Sequence, residues 1–359
     1  MIAVDAMGGD YAPHAIVYGA FNAARRGISV SLFGDLIQIT SKLEQLAHKY
    51  KLASWQSLPI TIVHTSQKIS MHDEPSRAVM HKKDSSLVKA VQTVADGKAL
   101  AIVSAGNSGA ALVAGTLILG RVDGILRPAI GDFLPTQSGS IFCMDLGANT
   151  DCKPEYLEQF AIMGHAYVRL MKGIEKPRIA LLSNGAEAYK GSLLVKQAYE
   201  LLKESGLNFV GNVESREMFE DQADVIVCDG FVGNVLLKGI QGTARAMMAW
   251  IDQERASSWW YSLGLLLSKG LFRSLKSKID YAKKGGALLL GVNSPLIIAH
   301  GCSNEIAMEQ AIVFAHQVVS EQRLVRFNAI IKQMLDQKKV VPIVYDAVRD
   351  IKNKEQEIQ

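Results

Sequence analysis

Short apolar runs alternate along this chain with longer segments in which apolar residues recur every three or four positions. The short runs predict buried strands at residues 2–4, 29–33, 60–63, 99–103, 140–146, 178–182, 225–228 and 287–290. The periodic segments predict helices at residues 13–26, 36–50, 110–119, 155–172, 230–253 and 305–319. Strands that alternate with helices form a mostly parallel sheet covered on both faces. The predicted fold class is therefore α/β, a doubly wound mostly parallel sheet.

Three predicted strands run into helices through corners that contain glycine and polar side chains. These corners are residues 104–110, 183–191 and 229–234, and a Gly-Gly turn at Gly8 and Gly9 follows the first strand. The carboxyl ends of parallel strands meet at one edge of a sheet, so we expect the three corners to converge in one site. Each corner leads into the N-terminus of a helix, and helix N-termini attract anions.

A single lysine, Lys190, stands at the start of the helix that follows residues 183–191. A cation at this position opposes the helix dipole, a small cost that a bound anion would reverse. An ordinary surface lysine is the competing interpretation. The chain lacks a G-x-S-x-G nucleophile elbow, a dinucleotide fingerprint and a P-loop, so neither nucleophilic serine chemistry nor nucleotide binding is supported.

Residues 255–285 form a predicted amphipathic helical segment that protrudes from the domain. Its apolar face consists of Trp260, Leu263, Leu267, Leu271 and Leu275. The expected membrane contacts are Trp259, Trp260, Leu263, Leu267 and Leu271. Ser262, Lys269, Arg273 and Lys276 fall on the opposite side of a helix spanning residues 259–276. Packing on the core or on a partner subunit and contact with a membrane surface both need this stripe, so the pattern leaves the two open.

Composition narrows the class of protein. The chain has 359 residues, 48% of them hydrophobic, and a net charge of +4, which describes a globular protein without the dense basic patch of a nucleic-acid binder. Its four cysteines lack the spacing of metal ligands, and we expect them to be reduced thiols. No apolar stretch has the length of a membrane span, so we expect a cytoplasmic protein. Residues 1–345 are expected to form one domain, and residues 346–359 a charged, frayed tail.

Seven motifs, in order along the chain, together resemble one known family. They are residues 5–10 (DAMGGD), 73–75 (DEP), 104–110 (SAGNSGA), 145–149 (DLGAN), 190–191 (KG), 229–234 (DGFVGN) and 299–301 (AHG). The chain thereby resembles the bacterial fatty acyl-acyl carrier protein:phosphate acyltransferases of phospholipid synthesis. This resemblance implies a fold like that of isocitrate and isopropylmalate dehydrogenases, a homodimer, and transfer of a long acyl chain from acyl carrier protein to inorganic phosphate. The acyl phosphate would pass to a membrane glycerol-3-phosphate acyltransferase.

The resemblance also implies roles for individual residues. Lys190 and Asn234 would be catalytic, and no cofactor or metal would be needed. The expected phosphate- or substrate-binding residues are Gly8, Gly9, Asn107, Ser108, Gly109, Asp229 and His300. Arg77, Lys82 and Lys83 would dock the acidic carrier protein. The family usually has Asn where this chain has Ser183.

Three alternatives remain at this stage. One is a short-chain phosphate acyltransferase that uses acetyl-coenzyme A, and another is a decarboxylating dehydrogenase, whose cluster of metal-binding carboxylates is not evident. The third is a non-enzymatic scaffold held at an anionic membrane by the segment at residues 255–285. For the acyltransferase we expect peripheral association with the inner face of the cell membrane.

Overall fold

The computed structural model describes residues 1–272 and 285–336. The predictions that concern Arg273, Leu275, Lys276 and residues 346–359 lie outside these ranges. Eleven strands of the described chain form one sheet in the order β3-β2-β1-β4-β11-β10-β5-β6-β9-β7-β8. The strands are β1 (Ile2–Asp5), β2 (Val30–Gly34), β3 (Ile60–His64), β4 (Ala101–Ser104), β5 (Ala129–Pro135), β6 (Ser140–Met144), β7 (Ile179–Ser183), β8 (Phe209–Glu214), β9 (Val225–Val227), β10 (Ala287–Leu290) and β11 (Leu296–Ile298).

Helices connect most of these strands. They are α1 (His14–Arg25), α2 (Leu36–Lys49), α3 (Pro75–His81), α4 (Ser86–Ala95), α5 (Ser108–Ala114), α6 (Pro154–Lys172), α7 (Leu193–Glu204), α8 (Gly230–Ser257), α9 (Trp259–Leu267) and α10 (Glu305–Ser320). A π-helical turn, Gly115–Leu119, continues α5. Strands β5, β8 and β11 and helices α3 and α4 were not among the predicted elements. Each predicted strand and helix has a counterpart, and the α/β class is confirmed.

The sheet is buried on both faces, because neighbouring positions of each strand contribute to different cores. In β1, Ile2 and Val4 belong to a large core with α1, α2, α6, α7 and α10. Ala3, between them, packs on the other face with α4 and α5. In β9, Val225 and Val227 join the large core, whereas Ile226 packs in a third cluster beside α8. This burial explains why the strands read as continuous apolar runs.

The two halves of the sheet run in opposite directions. β1, β2, β3, β4 and β11 are mutually parallel, but β10 is antiparallel to both β11 and β5, and β5 is antiparallel to β6. β6, β9, β7 and β8 are again parallel to one another. The carboxyl ends of β1 and β4 therefore lie at one edge of the sheet, and those of β6, β7 and β9 lie at the opposite edge.

The expectation that all three corners converge at one edge is consequently wrong for a single chain. The corner at residues 104–110 is separated from those at residues 183–191 and 229–234 both by strand direction and by the strands that lie between β4 and β9. At about 4.8 Å per strand, β4 and β9 are roughly 24 Å apart along the sheet. Apolar runs reveal which segments are strands but not which way each strand runs, so the reversal was not predictable from them.

Helix α8 extends beyond the core. Its buried residues are Gly230 and Gly233, and Leu236, Leu237 and Ile240 pack against the third cluster. No described residue of α8 after Ile240 is buried. Helix α9 follows and ends at Leu267, so the helix predicted for residues 259–276 is interrupted at Ser268, after which residues 269–272 are again helical. Within the described ranges, none of the helices is long and apolar enough to cross a membrane.

Candidate active site

Two places in the sheet have neighbouring strands whose connections leave toward opposite faces. β1 leads to α1 in the large core, whereas β4 leads to α5 on the other face. In the other half, β7 leads to α7 in the large core, whereas β9 leads to α8 beside the third cluster. Such switch points leave a crevice outside the carboxyl ends of the strands, where α/β proteins bind ligands. We name them the Asp5 corner (residues 5–10, 104–109 and 299–301) and the Lys190 corner (residues 145–149, 183–191 and 229–234).

The Asp5 corner is built around a buried carboxylate. Ser104 Oγ donates to Asp5 Oδ2 at 2.7 Å, and Met7 N donates to Asp5 Oδ1 at 3.3 Å. Gly106 N donates in turn to Ser104 Oγ at 3.1 Å. A Cβ on Gly8 would lie 2.9 Å from Gly106 Cα, so the two turns meet backbone to backbone. Burial raises the pKa of Asp5 despite these donors. Asp5 thus anchors both turns.

The side chain of Asn107 is occupied within the Asp5 corner. Its Oδ1 accepts from Ala110 N at 3.0 Å and caps α5. Its Nδ2 donates to the carbonyls of Ser70, Met71 and Asp73 at 3.3, 3.5 and 3.1 Å. Asn107 therefore caps a helix and holds residues 70–73 against the corner, and its expected role in substrate binding stays a prediction. The three carbonyl contacts join residues far apart in the chain and were not predicted from the sequence.

Four further residues expected to bind substrate lie at the Asp5 corner. A Cβ on Gly109 would lie 2.7 Å from Pro75 Cγ, so this glycine allows α3 to pack against α5. Gly9 adopts a φ of +106° in the turn where Asp10 N donates to Gly301 O at 2.8 Å. Ser108 and His300 are exposed. All of them lie at the edge opposite Lys190 and Asn234 in the same chain.

A second buried carboxylate organises the Lys190 corner. Asp145 accepts from the backbone amides of Ile130, Gly147, Ala148 and Asn149 at 2.8 to 3.2 Å and from Asn149 Nδ2 at 2.9 Å. Burial raises the pKa of Asp145, and these donors oppose the rise. Asp145 was not predicted as a site residue, although its position at a strand end before a Gly-containing turn repeats the pattern of Asp5.

Asn234 lies directly against the turn that Asp145 anchors. A Cβ on Gly147 would lie 3.3 Å from Asn234 Cβ. Asp229 Oδ1 accepts from Val232 N at 2.9 Å and caps α8. The Asp229 carboxylate thus starts the helix that carries Asn234, and its expected role in substrate binding stays a prediction. Asn234 is half-buried, and no residue in the described ranges hydrogen-bonds to its side-chain amide. That amide can therefore serve a ligand.

Lys190 is a half-buried cation, and no described carboxylate lies within 4.0 Å of it. Its Nζ lies 5.7 Å from the centre of the Tyr189 ring, and its Cγ would lie 2.8 Å from a Cβ on Gly185. Lys190 N and Asn212 Nδ2 both donate to Glu187 O, at 3.0 and 2.9 Å, and hold the loop in place. An unpaired cation at a switch point is suited to an anionic ligand.

The three residues expected to dock the carrier protein differ in their availability. Lys82 Nζ forms an ion pair with Asp73 at 2.5 Å and donates to Lys68 O at 3.1 Å, so it is committed within the loop. Arg77 and Lys83 are exposed. All three lie near the Asp5 corner, because α3 packs against α5 there.

The apolar side chains of the protruding segment are exposed. The exposed fractions are 64% for Trp259, 62% for Trp260, 41% for Leu263, 82% for Leu267 and 60% for Leu271. As for metals, residues 1–272 and 285–336 contain no group of three His, Cys, Asp or Glu side chains able to hold an ion.

Solved structures of other proteins share this α/β fold. A phosphotransacetylase from Streptococcus pyogenes covers 89% of this chain and 94% of its own, with a TM-score of 0.53 and 18% identity. A branched-chain phosphotransacylase from Enterococcus faecalis covers 89% of this chain and 99% of its own, with a TM-score of 0.52 and 15% identity. At such identities the likeness shows the fold alone.

Sequence comparison defines the family. The family model described as fatty acid synthesis protein matches residues 1–326. A phosphate acyltransferase from Geobacter sulfurreducens is 47% identical over 319 residues, 89% of this chain and 90% of the relative. One from Bacillus cereus (strain B4264) is 43% identical over 334 residues, 92% of this chain and 98% of the relative. The chain belongs to this family of transferase enzymes, and the resemblance seen in its motifs is confirmed.

Proposed function

We propose that this protein transfers a long-chain fatty acyl group from acyl carrier protein to inorganic phosphate. Membership in a family with relatives named phosphate acyltransferase supports the reaction type. The observation that carries the assignment of the reaction centre is the unpaired Lys190 ammonium at the same switch point as the unbonded Asn234 amide. A phosphate dianion needs a cation, and a thioester carbonyl that becomes an oxyanion needs a hydrogen-bond donor.

The proposed chemistry requires no nucleophile from the protein. A phosphate oxygen attacks the thioester carbonyl carbon, so an oxygen–carbon bond forms and the carbon–sulfur bond breaks. The carrier's sulfur leaves as a thiolate and takes a proton from water. Lys190 holds the phosphate in place and offsets its charge, and Asn234 donates to the carbonyl oxygen as negative charge develops there. The product is an acyl phosphate, suited to a membrane glycerol-3-phosphate acyltransferase in phospholipid synthesis.

We propose a long-chain acyl donor rather than acetyl-coenzyme A, although the phosphotransacetylases share the fold. Those structures are under 20% identical to this chain, whereas the relatives named phosphate acyltransferase are more than 40% identical. We assign carrier docking to Arg77 and Lys83, whose exposed charges complement an acidic partner.

The proposal includes a homodimer. Within one chain the Asp5 and Lys190 corners lie at opposite edges of the sheet, and a second copy can bring its Asp5 corner to this Lys190 corner. Val235, Met247 and Trp250 of α8 are 58%, 54% and 62% exposed, an apolar surface that a second copy would cover. Light scattering of the purified protein measures the mass of the assembly, and a monomer at micromolar concentration would reject this part.

The proposal also includes reversible contact with an anionic membrane through Trp259, Trp260, Leu263, Leu267 and Leu271. Insertion of apolar side chains, helped by about 1 kcal/mol per nearby basic residue, would hold the enzyme where its poorly soluble product is used. Leu263→Glu with Leu267→Glu should abolish sedimentation with anionic vesicles and leave the dimer and turnover of a soluble thioester intact. Loss of the dimer with retained sedimentation would instead make these leucines a subunit interface.

The central experiment mixes the purified protein with palmitoyl-acyl carrier protein and follows thioester loss with and without phosphate. Phosphate-dependent loss with formation of acyl phosphate is the expected result. Preference for acetyl-coenzyme A would favour the short-chain alternative, and no phosphate-dependent loss with either donor would refute the proposed function.

A further inference from the structure

A buried hydroxyl at the carboxyl end of β7 lacks a hydrogen-bond partner. Ser183 Oγ is shielded from water, yet no atom of the described chain accepts or donates a hydrogen bond to it. A buried polar group without a partner costs about 1–3 kcal/mol of stability. A ligand that forms the missing hydrogen bond would explain such a group.

The surroundings of Ser183 belong to the Lys190 corner. A Cβ on Gly191 would lie 3.0 Å from Ser183 Oγ, and Gly191 directly follows Lys190. Gly191 has a φ of +99°, which favours glycine, and a Cβ there would also lie 2.5 Å from Val195 Cγ1. The backbone therefore passes between Ser183 and the first turn of α7 at a point where no side chain fits.

Helix α7 begins at the same place. Ser192 Oγ accepts from Val195 N at 3.3 Å and caps the helix, whose 12 residues direct their dipole at this corner. The N–H groups that come before Val195 in the first turn of α7 have no acceptor within the helix. A hydroxyl, a lysine and a helix start thus surround Gly191.

We propose that the Ser183 hydroxyl donates a hydrogen bond to an oxygen of the inorganic phosphate that Lys190 holds. This rests on the proposed function, in which Lys190 binds phosphate. Because Ser183 Oγ is shielded from water, the backbone of residues 184–191 shifts as phosphate enters. Asn212 restrains that loop through Glu187 O, and its own Oδ1 is a second buried atom without a partner in the described chain.

The test compares Ser183→Ala with Thr65→Val. Thr65 Oγ1 is also buried without a described partner, but it follows β3 in the other half of the sheet. Without phosphate, each variant should melt about 2 °C higher than the wild type, because each removes an unsatisfied hydroxyl. Only Ser183→Ala should lose most of the rise in melting temperature that inorganic phosphate gives the wild type.

Kinetics supply the second measurement. In Ser183→Ala the KM for phosphate should rise about 10-fold, the value expected for one hydrogen bond to a charged group, while the KM for the acyl donor and kcat stay within about twofold. An unchanged KM for phosphate and an unchanged phosphate-induced rise in melting temperature would overturn the role of Ser183. The role of Ser183 would also be overturned if Thr65→Val changed the KM for phosphate and the phosphate-induced rise in melting temperature as much as Ser183→Ala does.

Failure of the proposed function gives a different result. A wild-type protein with no phosphate-dependent thioester loss, but with a phosphate-induced rise in melting temperature that depends on Ser183, would reject the acyl transfer and retain the phosphate site.

Discussion

The Asp5 corner and the Lys190 corner are built alike but differ in what they leave unsatisfied. Each has a buried aspartate at a strand end that accepts bonds from the turn after it, and each has a capped helix start. At the Asp5 corner, the polar side-chain atoms of Asn107 and Asp5 form hydrogen bonds within the protein. At the Lys190 corner, the side chains of Lys190, Asn234 and Ser183 have no hydrogen-bond or ion-pair partner among the described residues.

This difference separates structural from functional polar residues. A polar group that is satisfied within the chain stabilises the fold, and using it for a ligand would first break those bonds. A polar group held half-buried without a partner costs stability in the free protein, and a ligand recovers that cost on binding. The comparison therefore predicts opposite consequences for substitutions in the two corners.

The largest effect is expected for Lys190→Ala. Loss of the cation that we propose binds phosphate should lower phosphate-dependent turnover at least about 100-fold, the effect of removing one stabilising group from a charged transition state. The free energy of unfolding should stay within about 0.5 kcal/mol of the wild-type value, since Lys190 has no described ion pair to lose. Turnover is measured with palmitoyl-acyl carrier protein and stability by urea titration.

Lys203→Ala is the matched control, because this exposed lysine lies in the last turn of α7, the helix that follows Lys190, far from the corner. It should leave both turnover and stability unchanged. Wild-type turnover in Lys190→Ala would contradict the assignment of this corner as the reaction centre.

Asn107→Ala should affect stability first. The variant loses the cap of α5 and the amide that binds three carbonyls, so the free energy of unfolding should fall by about 2 kcal/mol. Urea denaturation measures this fall. Asn234→Ala is the matched comparison, and it should reduce turnover with little change in stability. If Asn107→Ala kept full stability and lost turnover, the division between the two corners would be wrong.

The sequence predicted the components of both corners better than their arrangement. Lys190 and the Gly-containing turns were evident from strand ends followed by helix starts, whereas Asn234 was predicted from the family resemblance. The apposition of Gly8 with Gly106 and the three carbonyls bound by Asn107 depend on residues far apart in the chain, which periodicity does not connect. The reversal of direction between β11 and β6 depends on pairing through β5, whose strand was not predicted.

Carrier docking should respond to charge at the edge that holds the Asp5 corner. Arg77→Glu with Lys83→Glu should raise the KM for palmitoyl-acyl carrier protein about 10-fold and change turnover of a minimal palmitoyl thioester less than twofold, because only the acidic carrier would be repelled. Lys82 is left in place since its ion pair with Asp73 supports the loop. Equal effects on both donors would argue that these residues act on the chemistry rather than on docking.

The smallest effect is expected for the ion pair between Arg178 and Asp224. It lies at the start of β7, the strand whose other end leads to Lys190. Arg178 precedes β7, and its backbone N, Nε and Nη2 donate to the Asp224 carboxylate at 2.7, 3.2 and 3.1 Å. Burial alone would raise the pKa of Asp224, but these bonds outweigh it and hold the pKa below its ordinary value of 3.8.

A carboxylate whose pKa is lowered by folding contributes stability above its unfolded pKa, and that contribution disappears as pH falls through the folded pKa. Asp224→Asn should therefore lower the free energy of unfolding by about 1 kcal/mol at pH 7, a value that allows for the partial exposure of the pair. The difference from the wild type should shrink below about pH 4, where Asp224 itself becomes protonated. Urea titrations from pH 3 to pH 7 measure both. Turnover should not change, since Arg178 and Asp224 lie at the edge away from the Lys190 corner, and a pH-independent difference in stability would mean that the pair contributes by packing rather than by charge.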